Sequence, residues 1–212
     1  MSDRLTVGID LGTTHCVLAS GDPDAGLGEQ PVHVFDVPQL QAAGEVVENP
    51  LLPSFLYLPG EHELPEGATD LPWGASEDGV VGEMARRRGA EIPDRIVHSA
   101  KSWLCHDGVD RSAPFLPRTP AEMDQRVSPV QASAAYLAHL RRARDHLKAR
   151  GDEAQALRTQ DLVVTVPASF GEVAPPLTAE APRAAALPRR HRVEAPQPAS
   201  HASLAGRGPE IA

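Results

Sequence analysis

The sequence predicts an α/β fold, and three observations carry that prediction. Short runs with strand-forming residues stand at 4–9, 15–20 and 162–166, the last of them rich in valine. A helix with clear start and stop signals precedes the last of them, so strand and helix alternate as a layered α/β architecture requires. Between 38 and 127 the chain is punctuated by Pro and Gly, the pattern of an inserted, loop-rich lobe.

In chain order, residues 4–9 and 15–20 read as a hairpin around a polar bend, Asp10-Leu11-Gly12-Thr13-Thr14. Residues 31–37 read as a third strand, apolar on both sides and so buried within a sheet. A strand is expected over 51–58, a short helix over 81–90 carrying Arg86, Arg87 and Arg88, and a further element over 97–104 anchored by Trp103. Ser128 suits an N-cap and Pro129 a first helical position; Val130, Ala134, Leu137, Leu140 and Leu147 then mark one packing face. Arg141, Arg142, Arg144, Lys148 and Arg150 crowd its end, read as a solvated basic face with an anion or acidic-partner patch as the alternative, and Gly151 supplies the stop. Residues 162–166 are a buried strand ended by Pro167. Of 21 prolines, eight fall from 167 onward, and they interrupt the apolar spacing of the tail, which is expected to be irregular.

Composition narrows the function classes. With 41% hydrophobic and 23% charged residues over 212, the chain can bury a core. Twenty Lys and Arg against 29 Asp and Glu give a net charge of −9, which disfavours nucleic acid as a partner. No apolar run approaches the roughly 20 residues of a membrane-spanning helix, and the opening residues lack the order of a signal peptide, so a cytoplasmic location is expected, with no membrane partner. Two cysteines, Cys16 and Cys105, form no disulfide framework and read as small buried thiols.

The bend at 10–14 carries the chemistry. A turn between antiparallel strands clusters its main-chain N–H groups, and a glycine lets them approach a phosphate oxygen. Gly12, Thr13 and Thr14 fit that need, and Asp10 places a carboxylate beside them, suited to a magnesium ion directly or through its waters. There is no P-loop and no dinucleotide-binding glycine motif.

Val7-Gly8-Ile9-Asp10-Leu11-Gly12-Thr13-Thr14 resembles the first phosphate motif of the heat-shock protein 70 (DnaK-type) chaperones. Leu52-Pro53-Ser54-Phe55, Val81-Gly82-Glu83-Met84-Ala85-Arg86 and Val163-Val164-Thr165-Val166-Pro167-Ala168-Ser169-Phe170 resemble three further family segments, in the family's order. The resemblance covers residues 4–170 and fades beyond. It implies the actin-like ATPase (ribonuclease H-like) fold, first lobe only: a sheet subdomain from 1–37 and 128–170, an inserted smaller subdomain at 38–127, and the tail at 171–212. It implies ATP and magnesium as ligands, unfolded polypeptide clients or cochaperones as partners, and magnesium-dependent ATP hydrolysis as the family activity.

The chain also departs from the family. Arg86 stands where a lysine usually reaches the transferred phosphate, and a planar guanidinium does not reproduce an ammonium's geometry. Val193-Glu194-Ala195-Pro196 resembles a family segment but puts a methyl group, Ala195, at its acidic position. The expectation is therefore an ATP-binding protein with weak or no hydrolysis, truncated relative to the family. The alternative is a noncatalytic fragment or interaction module from a degraded reading frame.

Overall fold

The computed structural model describes residues 5–22, 32–75, 78–104, 106, 108–119, 125–166, 181, 184–187 and 192–194. Its largest sheet grows from the N-terminal hairpin. In β1 (Thr6–Leu11), Val7, Ile9 and Leu11 alternate into the core, and in β2 (His15–Gly21) Cys16 and Leu18 do the same. The two pair antiparallel from Thr6 opposite Gly21 to Leu11 opposite Cys16. Two short strands, β3 (His33–Val34) and β6 (Leu52–Pro53), pair with different halves of β2. On the other side of β1 lies β10 (Asp161–Val166), parallel, with Asp10 opposite Thr165, and beyond it β11 (Arg192–Glu194), also parallel. The path across the sheet is β11-β10-β1-β2-β3.

The expected strand at 31–37 is corrected. Only His33 and Val34 pair there, both exposed, and Val32 just before them is 66% exposed. The chain leaves β2 after the Phe35 amide reaches the Leu18 carbonyl, and Val37 begins a different sheet. Apolar residues on both sides of a segment fit a buried strand, but here they mark a segment that changes partners.

The helix α3 (Pro129–Arg144) starts as expected. Ser128 Oγ accepts from the Gln131 amide at 3.0 Å while Gln131 Oε1 accepts from the Ser128 amide at 2.7 Å, a reciprocal cap worth about 1 kcal/mol. The single packing face does not hold, since 13 of its 16 residues are buried. The reason is its position, packed against α2 (Ala100–Leu104) and against strands of the smaller sheets as well as joining the main core. Alanines at 132, 134, 135, 138 and 143 permit that close approach on several sides. Burial extends to Arg144, so the basic end of the helix is not a uniformly solvated face. After Arg144 one π-helical turn, Asp145–Ala149, follows, then Arg150 in the left-handed region and Gly151.

His139 is buried in α3, edge-on to Trp73, and its Nε2–H donates to the Pro38 carbonyl at 2.9 Å. Burial pushes its pKa down from 6.5 to about 4, opposed by the Pro38 carbonyl and reinforced by Arg142. The folded ring is thus neutral where the unfolded chain's imidazole takes up a proton. Stability should fall as pH drops from 6.5 to 4 and lie flat above, by about 3 kcal/mol at the acid end. Urea midpoints measured across that window should show the slope in the native chain and lose it in His139→Leu. An equal slope in both would assign it elsewhere.

The segment 38–127, expected to be loop-rich, holds more regular structure. A hairpin joins β4 (Val37–Ala42) to β5 (Glu45–Asn49). A three-stranded sheet sets β7 (Phe55–Tyr57) between β8 (Val80–Val81) and β9 (Ile96–His98). Against it packs α1 (Glu83–Glu91), through Met84 and Ala85, with Leu40, Tyr57, Leu71, Val80 and Ile96 in one small core. The expected strand at 51–58 divides between two sheets, as β6 and β7, with Ser54 between them. The element at 97–104 likewise resolves into the end of β9 and α2, with Trp103 half-buried against the core. Glu63 anchors the lobe's polar side. Burial opposes its charge, but Tyr57, the Gly60 amide and Arg88 outweigh that and hold its carboxyl below the usual range.

Most of the tail lies outside the described residues, as does Cys105. Within it, residues 192–194 form β11 despite the proline content. Among the described residues, no helix is long and apolar enough to cross a membrane.

Candidate functional site

The site is built where β1 turns into β2. The strand ladder ends at Leu11 and Cys16, leaving Gly12, Thr13 and Thr14 as the bend, and both threonines are exposed. Ser54, at the switch between β6 and β7, holds this bend from behind. Its Oγ donates to the Gly12 carbonyl at 2.9 Å, and its amide donates to the Thr14 carbonyl at 2.9 Å. The Gly12 and Thr14 carbonyls are therefore both occupied by Ser54. The amides of Thr13 and Thr14 make no hydrogen bond with any described residue. Exposed N–H donors over a fixed carbonyl scaffold are what an incoming oxyanion needs.

Gly12 is demanded by the bend itself. A Cβ there would stand 2.0 Å from the His15 carbonyl oxygen, so the absent side chain makes room first for the protein's own main chain. Cys16 closes the floor beneath, with its Sγ 3.3 Å from Ser54 Oγ. Burial pushes its thiol up to about 11, against the opposing influence of Ser54 and the Gly12 main chain, so it is an inert packing group as expected. Tyr136 lies behind it, buried, with no hydrogen-bond partner for its hydroxyl among the described residues, and burial raises its pKa. His15 opens β2 and pairs with Pro53.

Asp10 is exposed at the end of β1, and Thr165, its cross-strand neighbour on β10, donates a hydrogen bond from Oγ1 to Asp10 Oδ1 at 2.5 Å. One carboxylate oxygen is thereby fixed and the other remains available. Among the described residues, no group of three His, Cys, Asp or Glu could form a protein-only metal cage. A single carboxylate beside exposed amides is a donor set that magnesium could use, since that ion keeps most of its waters and takes one or two carboxylates plus oxygens of a bound anion. On β11 the main chain of Val193 lies in the row of Thr165 and Asp10, with Glu194 one residue further; Ala195 is outside the described residues.

Arg86 is engaged by an acid of its own helix. It sits on α1, half-exposed, and its Nε and Nη2 donate to the two Glu83 oxygens at 3.0 and 2.9 Å. Hydrogen bonding to Glu83 raises its pKa and keeps it a cation, but with that acid as its partner. Asp10, Gly12, Thr13 and Thr14 thus stand together at the bend, while the hydrogen-bond partner of Arg86 is Glu83.

Ser54 and Thr165 carry roles that sequence reading missed. Both lie in the segments that resemble the chaperones, but only the folded register shows that they reach across to the bend and to Asp10. Ser54→Ala should cost about 1–2 kcal/mol by leaving the Gly12 carbonyl unpaired. Ser54→Thr, which keeps the hydroxyl, should cost less; equal losses in the two variants would argue that packing, and not this hydrogen bond, holds the bend. Chemical denaturation of both variants measures this.

No protein-family model matches the chain. It is similar to the chaperone protein HscA of Cronobacter sakazakii, 29% identical over 192 residues, which covers 87% of this chain and 26% of that protein. The chain therefore spans about a quarter of the length of the curated relative it matches. That similarity supports kinship with the heat-shock protein 70 chaperones at the level of the family and no finer.

Proposed function

We propose that this chain binds a magnesium nucleoside triphosphate, ATP by the family likeness, at the β1–β2 bend, as the first lobe of an actin-like ATPase fold. The observation that supports this most is the pair of Thr13 and Thr14 amides, unbonded among the described residues, beside the Gly12 and Thr14 carbonyls that Ser54 holds. In this reading Gly12, Thr13 and Thr14 receive the phosphate oxygens, the threonine hydroxyls add donors, and Asp10, oriented by Thr165, serves the metal. Bound magnesium would neutralise phosphate charge. Arg86 approaches the terminal phosphate only by leaving Glu83.

Hydrolysis by these residues should be weak or nil. Phosphoryl transfer depends on positioning and charge neutralisation, and the one proposed catalytic cation is held on a carboxylate. Client or cochaperone binding is part of the proposal only through the family likeness. The alternative, a noncatalytic interaction module, draws on the exposed Val32 and Val34 beside the edge strand β3.

Calorimetry with magnesium-ATP tests the two readings. Saturable heat that Asp10→Ala weakens at least tenfold supports nucleotide binding. Absence of heat at millimolar nucleotide leaves the interaction module.

A further inference from the structure

A second site lies on the far side of β2, at the end of α3. Between the edge of the main sheet and the π-helical turn opens a cavity of about 620 Å³, within the range that holds small molecules. Its floor is apolar, from Val7, Leu18, Phe35 and Leu147. Into it faces Arg144, only 3% exposed.

The guanidinium is under-used. A guanidinium has five N–H donors. Among the described residues Arg144 makes one hydrogen bond, from Nη1 to the Gln155 carbonyl, and the Asp145 carboxylate stands 3.7 Å away, beyond hydrogen-bonding distance. Burial works against its charge, which is the condition under which a bound anion gains most. Lys148, placed over the Phe35 ring at 5.8 Å, and Arg150 stand at the cavity's exposed rim.

We infer that this cavity binds a small amphipathic monoanion, an apolar chain or ring ending in a carboxylate. The planar guanidinium matches a carboxylate in two-point contact, and the apolar floor takes the remainder of the ligand. Charge selects against a dianion. Asp36 and Glu48 also line the cavity and Asp145 stands beside Arg144, so the three cations are largely offset and the site suits one negative charge better than two. Neither Asp10 nor the bend lines this cavity, so the inference is independent of the nucleotide proposal.

The test titrates the nucleotide-free 212-residue chain with octanoate, octanol and inorganic phosphate, following main-chain amide resonances. Octanoate should shift Ser20, Phe35 and Leu147 saturably and bind at least tenfold more tightly than octanol. Phosphate should leave those resonances unmoved. Lys148→Met, an exposed change that spares the fold, should weaken octanoate severalfold, and Arg144→Met should erase its advantage over octanol. If Arg144→Met does not fold, the ligand ratio and Lys148→Met decide. Equal affinity for octanoate and octanol, matching shifts with phosphate, shifts centred on the β1–β2 bend, or no shifts at all would each overturn the inference.

Discussion

Gly12→Ala is expected to destabilise the fold by about 2–3 kcal/mol and to abolish measurable magnesium-ATP binding. The added Cβ would lie 2.0 Å from the His15 carbonyl oxygen and 3.2 Å from its carbon. Both are main-chain atoms of the strand that closes the hairpin, so no flexible tip can move aside. Relief requires opening the bend, which pulls the Gly12 carbonyl from Ser54 Oγ and carries the Thr13 and Thr14 amides with it. Stability and affinity should therefore fall together. Denaturation gives the first and calorimetry the second; a folded Gly12→Ala protein that binds as tightly as the native chain would remove the bend from the site.

The second large effect is expected at Gly82, which begins α1. Its φ of 98° lies where L-residues are strained, and a Cβ would meet Gln39 Oε1 at 2.8 Å and Leu52 Cδ1 at 2.9 Å. Gln39 has no room to yield. It is fully buried, its Oε1 accepts from the Glu83 amide at 3.1 Å, and its Nε2 donates to the Leu51 carbonyl at 3.0 Å. Gly82→Ala combines backbone strain with overlap, at about 2–4 kcal/mol, and should lower Tm by roughly 6–12 °C. Hydrogen exchange should show the loss concentrated in α1, which carries Arg86. A Tm within a degree of the native value would mean that the helix start is not constrained as described.

The N-terminal hairpin, the Ser128 cap and the strand at 162–166 were legible because each rests on local chemistry: aliphatic alternation, a capping residue followed by proline, a valine run. What the sequence hid depends on partners far along the chain. Val32, Val34 and Phe35 read as one buried strand, yet β3 pairs for two residues and then leaves the sheet. Ser54 sits inside a continuous apolar run, and only the change of sheets at that residue turns its hydroxyl and amide toward the bend. The spacing along α3 marked one face, whereas the alanines that let it pack on several sides carry no periodic signal. At the site, Asp10 and the bend were readable as a motif. The hydrogen bond from Thr165 to Asp10 needed the parallel register between strands 155 residues apart.

Nucleotide binding at the bend depends on the Thr13 and Thr14 amides acting as phosphate donors. Amide resonances of the full chain titrated with magnesium-ATP, with adenosine as the control, test this directly. Large downfield shifts at Thr13 and Thr14 with the triphosphate and none with adenosine are the predicted result. Unmoved Thr13 and Thr14 resonances at saturating nucleotide would contradict it.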